Sequence, residues 1–174
     1  MSDIPNPTTS LASTVNGTNG DPDIDLLTAP FPSNDACILD FDIVVTGDTL
    51  KFNYVFSSEE YTSFVCNGFN DAFGFFITGP NPSGAAYANE NIALIPGTTT
   101  PVSINTVNDG TPNGTDAGCI STNVGFYNFG VTGVTFDGNT VVLQAFALTT
   151  PCPSYHFKLA VADGGDSSLD SGVF

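Results

Sequence analysis

The stretch "LKFNYVFSSEEYTSFVCNGFNDAFGFFITGP", Leu50 to Pro80, contains the two patterns that decide the fold. In its first third Leu50, Phe52, Tyr54 and Phe56 alternate with Lys51 and Asn53. A period of two sets an apolar face against a polar one, the mark of a half-buried strand. In its last third "AFGFFIT", residues 72–78, is apolar almost without a break, as expected for a strand covered on both faces. Between them lie Glu59, Glu60 and Asp71, in a chain with only three glutamates.

Working outward, the same strand grammar recurs. "CILDFDIVV", residues 37–45, precedes Thr46-Gly47-Asp48-Thr49, a hairpin signal that pairs it with the strand from Leu50. "NIALIP" and "PVSIN" read as short strands, and "GVTFDGNTVVLQAFAL" reads as a hairpin turning at Asp137-Gly138. In "SYHFKLAV" Tyr155, Phe157, Leu159 and Val161 point inward, and His156 and Lys158 outward, so both lysines of the chain fall on solvent faces. No segment carries a 3.6-residue apolar period long enough for a helix. The expected fold is therefore all-β, a single-domain antiparallel β-sandwich of jelly-roll type with eight to ten short strands. Residues 1–34, rich in Pro, Asn, Thr, Ser and Asp, read as an irregular N-terminal arm, and residues 35–174 as the sandwich domain. "DPDID" (Asp21, Asp23, Asp25) imitates the start of an EF-hand loop, but Leu26 and Pro32 stand where glycine and glutamate are needed. Residues 106–130 form a connection long enough to be functional or pinned, and Cys119 offers a pin.

Composition bounds the function. Eighteen acidic residues against two lysines give a net charge of −16, yet only 11% of residues are charged and 41% are hydrophobic, including 15 phenylalanines. This is a packed domain that repels nucleic acid and anionic lipid and attracts cations. No 18-residue apolar run is present, so membrane insertion is not expected. Met1-Ser2-Asp3 is followed by no signal-peptide core, which reads as a leader already removed. The four cysteines form no CxxC pair, and one histidine makes zinc a poor fit. Their even number in a lysine-poor, Gly- and Thr-rich chain points to export and two disulfides. Their positions favour Cys37–Cys152 and Cys66–Cys119, among three possible arrangements.

The acids are the candidate chemistry. The end of the Leu50 strand, the start of "NDAFGFF" and the end of "SYHFKLAVADGGD" can meet at one pole of a sandwich. Counting from inward-facing Phe56 puts Ser58 and Glu60 on the core side, while Glu59 points to solvent or a second site. Glu60, Asp71, Asp163 and Asp166 are the leading metal ligands, with Asn70 and Asp170 behind them. Oxygen ligands in Gly-rich loops suit Ca2+ better than magnesium, which demands a tight octahedron. The alternative is that these acids are ordinary solvated strand ends. A paired-carboxylate glycosidase is disfavoured because adjacent Glu59 and Glu60 face opposite ways. His156 lies on an outward face with no nucleophile elbow beside it, so no enzyme is expected. Phe64, Phe69, Tyr87, Phe126, Tyr127 and Phe129 sit in loop-like sequence, where aromatics plug a sandwich end or stack on a ligand.

From Asp35 to Phe174 the chain resembles the choice-of-anchor L domain of large bacterial secreted and surface proteins. The likeness rests on "DACILDFDIVVTGDTLKFNYVFSSEEYTSFVCNGFNDAFGFFITGP", "NIALIPGTTTPVSINTVNDG", "CISTN" and "PCPSYHFKLAVADGGDSSLDSGVF", in order. Ser58, Glu59, Glu60, Tyr61, Asn70, Asp71, Asp163, Asp170 and Ser171 match its pattern best. Two departures stand out: the region before Asp35 lacks the family's upstream strands, and Val173-Phe174 read as the opening of a further strand. The resemblance implies an extracellular or cell-surface module and supplies no catalytic mechanism. The expectation is a calcium-binding adhesion module for a glycan or protein ligand. A structural spacer of a surface fibre, built by strand exchange between neighbouring copies, is the alternative, and a carbohydrate-active enzyme comes third.

Overall fold

The structure, a computed structural model, describes residues 12–129 and 136–174. These residues are nearly all β, in antiparallel sheets stacked as a sandwich. One layer is built from β1 (Ser33–Val44), β10 (Ser154–Gly164), β4 (Ala72–Gly79) and β5 (Tyr87–Asn91), side by side in that order, with β6 (Val102–Ser103) also on β4. In the other layer β2 (Thr49–Tyr54) pairs with β9 (Leu143–Leu148). There, too, β3 (Phe56–Ser58) lies between β11 (Ser171–Val173) and β8 (Gly138–Thr140), and β7 (Tyr127–Asn128) closes the far side of β8.

The alternation in the Leu50 strand survives intact. Leu50 and Tyr54 are buried, and Phe52 packs against Phe75 of the opposite layer with ring centroids 4.7 Å apart. Phe75 meets Phe157 at 5.5 Å, and Tyr54 meets Phe73 at 5.0 Å. Each buried aromatic of this kind contributes about 1.5–3 kcal/mol by leaving water. The continuous run in β4 is covered on both faces, as its composition requires. Phe73, Phe75 and Ile77 face the sandwich interior, while Ala72 and Phe76 face a second, smaller core.

That second core is made by a helix the apolar periodicity could not show. Helix α1, Pro22–Thr28, lies on the outer face of β4 and β10 and buries Ile24 against Ala72, Phe76, Ala160 and Ala162. Seven residues are too few for a period, yet the caps are written in "DPDID": Asp21 accepts hydrogen bonds from the amides of Asp23 and Ile24, and Pro22 occupies the first turn. The 1–34 segment is therefore not irregular throughout. Lys158 is the helix's anchor. Its Nζ lies 2.7 and 2.6 Å from the two Asp21 carboxylate oxygens and 2.7 Å from Asp23 Oδ2. Burial pulls this lysine's pKa down, but the two aspartates push it up further. So Lys158 is outward of the sheet, as its alternation says, but covered by the helix and not on a solvent face.

Two further expectations are corrected. The residues around Gly47 do not close a hairpin: β1 pairs along its length with β10, and β2 with β9, so residues 45–48 cross from one layer to the other. Turn chemistry is local, whereas the apolar faces of both strands are satisfied only by long-range pairing. The expected hairpin at Asp137-Gly138 falls partly outside the described residues, and Gly138 opens β8, which pairs with β3 and β7. Of the disulfides, Cys66–Cys119 is formed, with Cα atoms 5.6 Å apart. Cys37 and Cys152 are exposed free thiols. Cys37 stands opposite Val161, whereas the Cys152 amide binds Val45 at the other end of β1. That is ~25 Å of extended strand, against the ~7 Å that a bridge tolerates.

Candidate functional site

At the end of the sandwich where β4 and β11 begin and β3 and β10 finish, the chain brings its acids together. β3 runs Phe56, Ser57, Ser58 with Ser58 on the core side, and the chain then turns through residues 59–64. Asp71, on the same parity as Phe73, projects inward from the start of β4 and is completely buried. It is the hub of this pole. Ser58 Oγ donates to Asp71 Oδ2 at 3.0 Å, Ser171 Oγ donates to the same oxygen at 2.7 Å, and the Gly164 amide donates to Oδ1 at 3.1 Å. One carboxylate thus ties β3, β4, β10 and β11 together across both layers. Gly164 is required there, because a side chain at that position would run into the Asn70 carbonyl.

Glu60 lies beside Asp71, 1% exposed, its amide bonded to Ser58 Oγ at 2.9 Å. Burial, and then the charge of Asp71, push its pKa well above the usual carboxylate range, and its side chain hydrogen-bonds to Asp71. Its Oε2 is buried and has no hydrogen-bond partner among the described residues. Burial also raises Asp71, although its hydrogen bonds from Ser171, Gly164, Glu60 and Ser58 pull the other way. Asp163, on the core-side parity of β10, is 9% exposed and pushed up to about 9, first by burial and then by the charges of Asp71, Asp35, Asp166 and Asp170.

Of the six expected ligands, the structure therefore gathers Glu60, Asp71 and Asp163. Asp166 is within electrostatic reach of Glu60, but it is exposed and its Oδ1 accepts from the Ser168 amide at 2.8 Å. Asn70 is buried but serves the scaffold, Oδ1 accepting from the Asn105 amide at 3.2 Å. Asp170 turns away to the N-terminal segment and accepts from the Thr14 amide at 2.6 Å. Glu59 does not point to solvent: it is fully buried, because β3 ends at Ser58 and strict alternation stops with it. Among the described residues no group of three or more His, Cys, Asp and Glu side chains is arranged to hold a metal ion as it stands.

The hydroxyls of Ser58 and Ser171 belong to the pole as well; nothing in the residue types of their motifs marks a serine as the partner of a buried carboxylate. The long connection after Thr106 covers this pole and is pinned by Cys66–Cys119. Asn105 Oδ1 accepts from the Cys66 amide at 2.6 Å, and Tyr61 donates its hydroxyl to the Val107 carbonyl at 2.7 Å. Most loop aromatics plug ends, as in the Phe64–Phe69 and Tyr61–Tyr127 edge contacts at 5.4 and 5.1 Å. The single histidine lies on the outer face, half-exposed, with Nδ1 3.0 Å from Asp42 Oδ1.

The fold is thus a β-sandwich carrying one disulfide, with buried carboxyl groups gathered at one pole. The chain belongs to the choice-of-anchor L domain family, whose model matches residues 1–174. That membership makes it part of a secreted or surface-associated bacterial protein. No curated protein and no solved structure matches it. Among the described residues no helix is long and apolar enough to cross a membrane.

Proposed function

We propose that the chain is a non-catalytic recognition module of a bacterial surface protein, and that Ca2+ bound at the carboxyl pole stiffens it. The observation that carries this reading is the burial of Glu60, Asp71 and Asp163 at one pole while both lysines lie elsewhere. Three carboxyl groups in one interior with no cationic side chain among them hold on to protons, and a bound cation would let them ionise. The available donors are all oxygen: the three carboxyls and the hydroxyls of Ser58 and Ser171, a set that suits calcium. The pKa values of Glu60, Asp71 and Asp163 are all raised by burial, so calcium binding here would release protons from the carboxyls that ligate it. The test is thermal melting in CaCl2 and in EDTA. A ligand that binds only the folded chain adds about 2.7 kcal/mol at a hundredfold excess over Kd. A clear rise in Tm with calcium, absent in Asp163→Asn, is expected. Equal melting in both buffers sinks the metal.

A second reading has one observation of its own. Among the described residues β1 pairs on one side only from Cys37 to Val44, and it exposes Ile38, Leu39 and Val44. An open edge of this kind takes an added strand, which is how a fibre spacer would link neighbouring copies. Light scattering across a concentration series separates the readings: a monomer throughout excludes the spacer.

A further inference from the structure

The opposite end of the molecule holds a groove that the carboxyl pole does not involve. It lies between β5, the 92–98 loop and β9, at the far end of β4 from Asp71, with a volume of about 410 Å³. That is within the range of small-molecule sites. Its lining is unlike that of the pole. Phe146 is 48% exposed on β9, with the Lys51 ammonium 5.9 Å from its ring centroid. Around it stand Asn81, whose Oδ1 accepts from the Ser83 amide at 2.9 Å, Gln144, whose Nε2 donates to Asn53 Oδ1 at 2.9 Å and whose Oε1 is left to accept, Asn91, and the carboxylate of Glu90. Asn91 uses Oδ1 on the amides of Phe75 and Ala93, both at 3.0 Å, while its buried Nδ2 has no acceptor among the described residues. Tyr87 forms the floor, its hydroxyl donating to the Leu148 carbonyl at 3.0 Å and so closing one end.

We infer that this groove is a carbohydrate subsite for a neutral hexose or N-acetylhexosamine, built on Phe146 as stacking platform and on Glu90 and Gln144 as hydroxyl partners. The chemistry selects the class. A sugar ring presents an apolar C–H face to an aromatic ring and a fringe of hydroxyls that both donate and accept. Side-chain amides offer both roles, and a carboxylate accepts two donors. A net charge of −16 with Glu90 at the rim turns away uronic and sialic acids. An extended peptide is the other shape a groove between sheet edges admits, and the strands here resist it. β5 is broken by a register shift opposite Ile77 and by Asn89 at φ 57°, and the Leu148 carbonyl on β9 is already taken. Neither edge offers a regular ladder.

The inference rests on the recognition part of the proposed function and is independent of calcium. The test is a two-dimensional amide NMR titration of the full chain with methyl glycosides of glucose, galactose, mannose and N-acetylglucosamine, and with a glucuronide as the anionic control. The expected result is that at least one neutral glycoside shifts the side-chain NH2 signal of Gln144 and the backbone amides of Glu90 and Phe146, and the glucuronide shifts none. Phe146→Ala should weaken that binding roughly tenfold or more with melting unchanged, and Glu90→Gln should weaken it less. Shifts that map elsewhere overturn the groove and leave recognition standing. If no neutral sugar moves any signal, the carbohydrate class fails, whether or not calcium raises the Tm. Retained affinity in Phe146→Ala also overturns the assignment, as does binding of an extended peptide along β9 in place of sugar.

Discussion

The two ends of β4, a strand of eight residues, obey opposite rules. At the Asp71 end polar groups are buried, and most of them are matched: one carboxylate collects hydrogen bonds from Ser58, Ser171, Gly164 and Glu60, and a disulfide and an amide network seal the cover. At the Gly79 end the groove is lined by exposed polar side chains, Ser83, Glu90 and Gln144 among them. A polar group buried without its partner costs about 1–3 kcal/mol, so the first end has one arrangement and any trimming disturbs several strands at once. The second end can vary its side chains with little effect on the fold, which is the freedom a recognition surface uses.

The comparison is broken most severely at its hub. Asp71→Ala strands Ser58, Ser171 and the Gly164 amide without their acceptor and should cost about 3–5 kcal/mol, read by chemical denaturation. A loss below ~1 kcal/mol would mean the pole is not the keystone. Next comes the cover. Cys66→Ser should lose about 2–4 kcal/mol, whereas Cys37→Ser and Cys152→Ser should leave denaturation curves unmoved.

A pH series in EDTA sharpens the same contrast, with a smaller effect. Glu60, Asp71 and Asp163 all have folded pKa values raised above those of the unfolded chain. The folded state therefore holds protons that the unfolded state releases, and stability present near pH 4 declines as pH climbs through the Asp163 value of about 9. Asp163→Asn should flatten the alkaline part of that slope, and a stability that rises steadily from pH 5 to 9 would contradict the burial of these acids. Smallest of all, Phe146→Ala at the groove end should move stability by less than about 0.5 kcal/mol.

How much of this was legible depends on whether the information is local. Alternation in residues 50–56 and the unbroken apolar run in β4 gave the sandwich and both faces of its central strand, because side-chain parity is a property of the chain itself. The same parity count selected Glu60 over Glu59 as the partner of Asp71. It failed for the fate of Glu59, since parity lapses where the strand ends, and Glu59 is carried inward by the turn. The turn signal at Gly47 misled for a related reason: it states that the chain bends, not which strand it bends toward. Helix α1 was written in its cap, Asp21-Pro22, and was hidden by its length. The Cys37–Cys152 pairing needed a distance along β1 that only the register with β10 supplies.

The placement of the two lysines has a consequence outside folding. A protease that cuts after lysine or arginine finds two bonds in the whole chain, Lys51–Phe52 and Lys158–Leu159. Both are inside strands, one in β2 paired with β9, the other in β10 between β1 and β4 and beneath the helix. No surface loop offers such an enzyme a foothold, so digestion has to wait for a sheet to come apart. A domain displayed beyond the cell thereby resists the commonest trypsin-like activities around it for as long as it stays folded, and its rate of cleavage by trypsin becomes a direct clock for global opening.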